Sequence, residues 1–154
     1  MNGDAGDDIL YGSSGGNFLR GGPGNDIVIG GDSSDAIFGG PGKDYLTGGK
    51  LADTFVFSGT SDSKHATRDI ITDFETDVDK ISLIEIDAKP GGADNAFKFI
   101  GKVHFHHRAG ELRIVLDTTH ALTLVQGDVN GDGRADIEIQ LTGVHVLHAS
   151  DFAL

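Results

Sequence analysis

Six residues with oxygen-bearing side chains, Asp8, Asn17, Asp26, Asp35, Asp44 and Asp53, recur every nine positions. Each closes a glycine-rich stretch, and each is followed two residues later by a large apolar residue: Leu10, Leu19, Val28, Ile37, Leu46 or Phe55. Read in nines from Gly3, position one is always glycine: Gly3, Gly12, Gly21, Gly30, Gly39 and Gly48. Position four is Gly6, Gly15, Gly24, Ser33, Gly42 and Leu51. Carboxylates and turn carbonyls form an oxygen-only ligand set, which suits calcium with its six to eight hard ligands. Asp serves better than Glu here because its short side chain keeps the carboxylate beside the turn. The pattern G-G-x-G-x-D-x-U-x is a calcium-binding repeat of parallel β-helices. A flexible glycine-rich linker has no fixed apolar column, so that reading fails.

The elements that position these acids follow from the same register. Glycines accept φ > 0 and close backbone approach, so they form tight turns with carbonyls free to face an ion. The last three positions of each unit form a very short strand. Neighbours in a strand point to opposite faces, so the eighth residue faces in and its neighbours face out. Two nonapeptides make one coil of about 18 residues, so like positions stack at that separation. The expected fold is all-β: a parallel β-roll, or β-helix, over 1–57, continuing into a C-terminal antiparallel β-sheet or sandwich over 58–154 as one structural domain. Stacked carboxylates repel without a cation between them, and the inward column is thin. The roll is therefore expected to be disordered without calcium and to fold on binding it.

Composition narrows the function classes. The chain has 154 residues and a net charge of −12, and 20 of its 24 acidic residues are Asp. Fifteen of its 24 glycines fall in the first 50 residues. Such a chain repels nucleic acid, and its Gly and Asp excess excludes a helical bundle. There are no cysteines, so no disulfide, thiolate metal site or cysteine nucleophile exists. No apolar run reaches the roughly 18 residues of a membrane span, and the polar N-terminus is not a signal peptide.

Residues 3–57 resemble the RTX β-roll of bacterial proteins exported by type I secretion. That resemblance implies ions between repeats 18 residues apart. The first repeat gives its sixth-position carboxylate and the carbonyls of positions two and four. The second gives its sixth-position carboxylate and the carbonyls of positions one and three. Four sites follow. One uses Asp8, Asp4 and Gly6 with Asp26, Gly21 and Pro23, and the next uses Asp26, Gly22 and Gly24 with Asp44, Gly39 and Pro41. On the opposite edge, Asn17, Ser13 and Gly15 face Asp35, Gly30 and Asp32, and Asp35, Gly31 and Ser33 face Asp53, Gly48 and Lys50. Asn17 removes a charge and weakens its site, and Ser33 and Leu51 replace turn glycines.

After Thr54–Phe57, which extends the last strand, Asp62-Ser63, Arg68-Asp69-Ile70-Ile71-Thr72-Asp73-Phe74 and Asp79-Lys80-Ile81 follow. This run resembles the segment after the roll in the C-terminal domain of serralysin-type metalloproteases, which caps the roll and starts an antiparallel sheet. Asp69 is either a further calcium ligand or a turn acid. Residues 97–105, 111–117 and 121–126 read as strands. Asp128, Asn130, Asp132 and Asp136 then place side-chain oxygens at positions one, three, five and nine of a loop, with Gly133 at six and the Arg134 carbonyl at seven. Ile139 stands where an EF-hand has Glu, and the flanks read as strands. The loop resembles the nine-residue calcium loop of integrin-type repeats. A polar hairpin turn is the competing reading. The terminal Asp151-Phe152-Ala153-Leu154 resembles the end of type I secretion signals.

Catalytic chemistry is not evident. His104, His106 and His107 offer a zinc or nickel pair on one strand face, with no third ligand. H-E-x-x-H does not occur, and the G-x-S-x-G match at Gly12–Gly16 lies inside the repeat register. The expectation is a non-catalytic calcium-binding module, secreted and extracellular, at the C-terminus of a type I-exported protein. Its partners would be calcium, the type I apparatus at the C-terminal end and an upstream domain, because the array starts at Gly3 without a cap. Two alternatives stand beside it. One is an accessory polysaccharide-binding module like the R modules of alginate C5-epimerases, which needs an exposed basic or aromatic stripe. The other is a complete small secreted calcium-binding protein.

Overall fold

A computed structural model describes all 154 residues and places the nonapeptides in two parallel sheets. Strands β1 (Ile9–Tyr11), β3 (Ile27–Gly31) and β5 (Tyr45–Gly49) stack in one sheet, and β2 (Phe18–Arg20), β4 (Ala36–Phe38) and β6 (Thr54–Val56) stack in the other. The register follows the 18-residue coil: Leu10 pairs with Val28 and Val28 with Leu46, while Leu19 pairs with Ile37 and Ile37 with Phe55. These eighth-position residues are all buried, as the pleat requires, and they form the inner layer of the core. Their neighbours Ile9, Tyr11, Phe18 and Tyr45 face outward and are exposed.

The parallel stacking runs past residue 57. β7 (Ile70–Ile71) lies on β5, with Leu46 opposite Ile71, and β8 (Lys80–Ser82) lies on β6, with Phe55 opposite Ile81. Two further rungs of the roll are thus built by residues outside the glycine repeat. Beyond them come β9 (Lys98–Phe99), β10 (Glu111–Asp117), β11 (Leu122–Asp128), β12 (Ile137–Thr142) and, after a 3₁₀ turn at Ala149–Asp151, β13 (Phe152–Ala153). β10, β11 and β12 form the antiparallel meander, and β12 joins the roll by pairing parallel to β7. One continuous core of roll and cap residues results, from Leu10 to Phe152.

The strand expected over 97–105 is reduced to Lys98–Phe99. Gly101 adopts φ 70° and ends it, and the residues to Gly110 are turns that deliver the chain to β10. The three histidines at 104–107 therefore do not share a strand face. The C-terminal tetrapeptide is built into the fold: Phe152 pairs with Ile81, and buried Asp151 accepts N–H bonds from Asp77 (2.8 Å) and His148 (2.7 Å). No helix is long and apolar enough to cross a membrane.

Candidate metal centre

Each edge of the roll carries a ladder of acids, and every rung has the same bond. On the first edge the backbone N–H of Asp8 donates to Asp26 Oδ1 (2.8 Å), Asp26 to Asp44 (2.8 Å) and Asp44 to Asp69 (2.9 Å). On the second, Asn17 donates to Asp35 (2.6 Å), Asp35 to Asp53 (2.8 Å) and Asp53 to Asp79 (2.9 Å). One carboxylate oxygen of each acid thus pins the coil before it. Asp69 and Asp79 continue ladders whose glycine turns have stopped.

The second oxygens decide the chemistry. Oδ2 of Asp8, Asp26, Asp35, Asp44, Asp53 and Asp69 is buried and has no hydrogen-bond partner. Burying one unpartnered polar atom costs about 1–3 kcal/mol, and more for a charged group. Six of them, stacked on two edges, form an oxygen donor set that suits cations. The conformation of the turns completes that set. Gly42 has φ 155° and Gly22 φ 113°, and a Cβ at either would run into the carbonyl of Gly24 or Asp4 on the preceding coil. The carbonyls of Pro23, Gly39 and Pro41 each accept one N–H from the coil before (2.9, 2.9 and 3.0 Å). Each retains a second lone pair. The residues therefore fit a hard, oxygen-seeking cation.

The electrostatics agree. Burial, then the charge of Asp44, pushes the Asp69 carboxyl up to about 9. Burial, then Asp26 and Asp62, pushes Asp44 up to about 7 against its backbone hydrogen bond. Burial, then Asp79 and Asp35, raises Asp53 to about 6, again against a backbone bond. At neutral pH without metal, Asp69 holds its proton and Asp44 is partly protonated, and a bound dication would displace those protons.

The second ladder is closed at both ends, whereas Asp8 and Asp69 at the ends of the first keep a free oxygen. At Asn17, the side-chain amide turns inward and donates to the carbonyls of Ser13 (3.1 Å) and Gly15 and to Asp35 Oδ1 (2.9 Å). At Asp79, Oδ1 takes the Asp53 N–H and Oδ2 takes the Glu75 N–H (2.8 Å), so this acid keeps no free oxygen. Sequence reasoning passed over Asp79. Its signal was Asp79-Lys80-Ile81, which repeats the acid-x-apolar spacing of the nonapeptide, as does Asp69-Ile70-Ile71. Departures from turn glycine are absorbed locally. Leu51 takes φ 70°, and exposed Lys50 pairs with Asp32 (3.1 Å).

The 128–136 loop is built otherwise. Buried Asp128 accepts N–H bonds on both oxygens, from Gly131 (2.6 Å) and Gly133 (2.8 Å). Asp136 Oδ2 accepts from Val129 (2.7 Å), and its Oδ1 accepts the Asn130 amide (2.9 Å). Asn130 Oδ1 takes the Asp132 N–H and Asp132 Oδ1 takes the Arg134 N–H, both at 2.8 Å. His107 Nδ1 lies 3.0 Å from the Asp132 carbonyl and props the loop tip. None of these carboxylates has a buried unpartnered oxygen. The histidines do not converge on a metal either: His106 faces Glu111 (2.9 Å) and His104 faces Arg113 (3.1 Å).

Comparison with known proteins places this architecture. The family model described as Peptidase M10 serralysin C terminal matches residues 9–154. The solution structure of the AlgE6R3 subunit of the Azotobacter vinelandii mannuronan C5-epimerase superimposes with a TM-score of 0.69 at 25% identity, covering 97% of this chain and 79% of that one. The AlgE6R2 subunit of the same enzyme shares the fold, with a TM-score of 0.59 at 24% identity over 97% of this chain and 91% of that one. No curated protein matches the chain in sequence.

Proposed function

The chain belongs to the serralysin C-terminal family, and from that premise we propose that it is a non-catalytic calcium-binding module that folds when calcium fills its roll. The observation that carries this reading is the set of six buried carboxylate oxygens without partners, confined to the two ladders. Adjacent acids that both keep such an oxygen define four ion positions: Asp8–Asp26, Asp26–Asp44, Asp44–Asp69 and Asp35–Asp53. Asp69 is thus a ligand in this reading rather than a turn acid.

The chemistry explains export. In a cytosol poor in calcium, the acidic chain stays extended and threads an exporter. Outside, calcium in the 10⁻⁴–10⁻³ M range of extracellular modules drives folding. The C-terminal tetrapeptide fits this order of events, because Asp151 and Phe152 are buried in the folded sheet and are accessible to a secretion apparatus only before folding. A folded module then holds the exported end outside and supports the folding of an upstream domain. Isothermal titration of the chelator-treated protein tests the reading. Saturable calcium uptake at about four ions per chain, without comparable magnesium uptake, supports it. Equal magnesium uptake, or no uptake, contradicts it.

A second reading, an accessory polysaccharide-binding role, is favoured by one surface. Tyr11, Ile9, Ile27 and Tyr45 line the outer face of the first sheet, with Lys43 Nζ 5.8 Å from the Tyr45 ring centre. Exposed rings beside a cation suit an acidic sugar chain. Retardation of the calcium-loaded protein in a gel containing a polyuronate, abolished by Tyr45→Ala, supports this reading, and unchanged mobility contradicts it.

A further inference from the structure

The proposed calcium sites rest on stacked carboxylates, and one position in the stack is occupied by something else. We propose that the side-chain amide of Asn17 stands in place of an ion between the first and second coils of the second edge, so that this rung is fastened without metal. The inference rests on the calcium reading of the roll and adds to it.

The geometry is specific. The Asn17 amide nitrogen donates to the carbonyls of Ser13 and Gly15 and to a carboxylate oxygen of Asp35. These atoms hold the second and fourth positions of the first repeat and the sixth position of the second. Their counterparts are the oxygens assigned to an ion at Asp8–Asp26, Asp26–Asp44 and Asp35–Asp53 in the proposed function. Asn17 Oδ1 meanwhile accepts the Ser13 N–H (3.2 Å) and the Ser13 hydroxyl (3.0 Å). The reverse orientation would set the amide NH2 against the Ser13 N–H, donor against donor, so the network fixes which end points inward.

Contrast with Asp8 isolates the cause. Asp8 holds the same position in the first coil on the opposite edge, and its Oδ2 is left buried without a partner. Replacing a carboxylate oxygen by an amide nitrogen exchanges an acceptor that needs a cation for a donor that satisfies the same acceptors. The serine at position two supplies the hydroxyl that holds the amide in place. The second edge therefore carries one ion, at Asp35–Asp53, against three on the first edge.

The test compares ion counts and ion positions in the native protein, Asn17→Asp and Asn17→Ala. Equilibrium dialysis against calcium should give one more ion for N17D than for the native chain. Crystals grown in calcium should show anomalous density between residues 17 and 35 in N17D and none there in the native protein. N17A should keep the native ion count and melt at a lower temperature, because it loses the amide's bonds but no ligand. An ion between Asn17 and Asp35 in the native protein overturns the inference, as does loss of one ion in N17A or an unchanged count in N17D. A native protein that binds no calcium at any rung instead overturns the proposed function on which this inference rests.

Discussion

Asp26 and Asp128 are both fully buried, yet the chain treats their charges in opposite ways. Asp26 gives one oxygen to the Asp8 N–H and leaves the other without a partner. Asp128 gives one oxygen to the Gly131 N–H and the other to the Gly133 N–H. The difference lies in the local backbone. A nonapeptide turn stacks on its neighbour and presents carbonyls, which are acceptors like the carboxylate itself. The hairpin loop curls around its own first residue and presents N–H donors. The same side chain therefore keeps a buried oxygen without a partner in the roll and accepts a backbone N–H on each oxygen in the loop. In the proposed function the roll is the metal-dependent part of the molecule, while the meander beside it meets its own buried acid with backbone N–H groups.

The largest effect is expected where two proposed ions share one acid. Asp44→Asn keeps Oδ1 to accept the Asp26 N–H (2.8 Å) but removes the charge between Asp26 and Asp69. The calcium midpoint for folding should rise at least about tenfold, or ~1.4 kcal/mol. A midpoint equal to that of the native protein in the same titration would break the contrast between roll and loop.

The next effect is one of pH in chelator. Burial and neighbouring carboxylates raise Asp53 to about 6, Asp44 to about 7 and Asp69 to about 9 in the metal-free fold, above the ordinary carboxylate value of 3.8. Groups raised on folding stabilise the metal-free fold fully below that ordinary value, and this contribution is lost as pH rises through the folded values. Acidification from about pH 9 towards pH 4 should therefore raise the strand signal of the calcium-free protein. In calcium the dependence reverses, because protons and the metal compete for the same oxygens. A pH-independent spectrum in chelator would contradict the raised values.

A smaller effect sharpens the comparison from the other side. Asp128→Ala leaves the N–H groups of Gly131 and Gly133 unpaired, at a cost of about 1–3 kcal/mol in thermal or denaturant unfolding. The ion count of the roll should not change. The least effect is expected from Lys50→Ala, which removes the exposed pair with Asp32 and should alter stability by less than ~1 kcal/mol.

The strand positions of the roll were legible because every unit repeats both the acid and the apolar column, so Leu10 through Phe55 are all inward and buried. The last two rungs were harder to read because spacing, the main signal, breaks there. Asp69 lies 25 residues after Asp44 and Asp79 lies 26 after Asp53, where the repeat would put 18. What persists is the pair that the strand itself requires, an acid and an apolar residue two positions on. The inserted residues change the turn and not the rung. The role of Asn17 was visible in type but not in direction. Its missing charge reads as a weaker site, whereas the hydrogen bonds to Ser13, Gly15 and Asp35 show a donor filling the position. The 97–105 segment was misread because a strand was carried through Gly101, although that glycine, like Gly110, was itself a turn signal, and its positive φ ends the strand.

The most direct test of the central claim is a far-UV circular dichroism titration of the metal-stripped protein with calcium, with magnesium as control. A cooperative coil-to-strand transition with calcium alone is the predicted result, with the roll ordering as its buried carboxylates gain their ligand. A full strand spectrum already present in chelator at neutral pH would contradict it, because the unpartnered oxygens would then be tolerated without any cation.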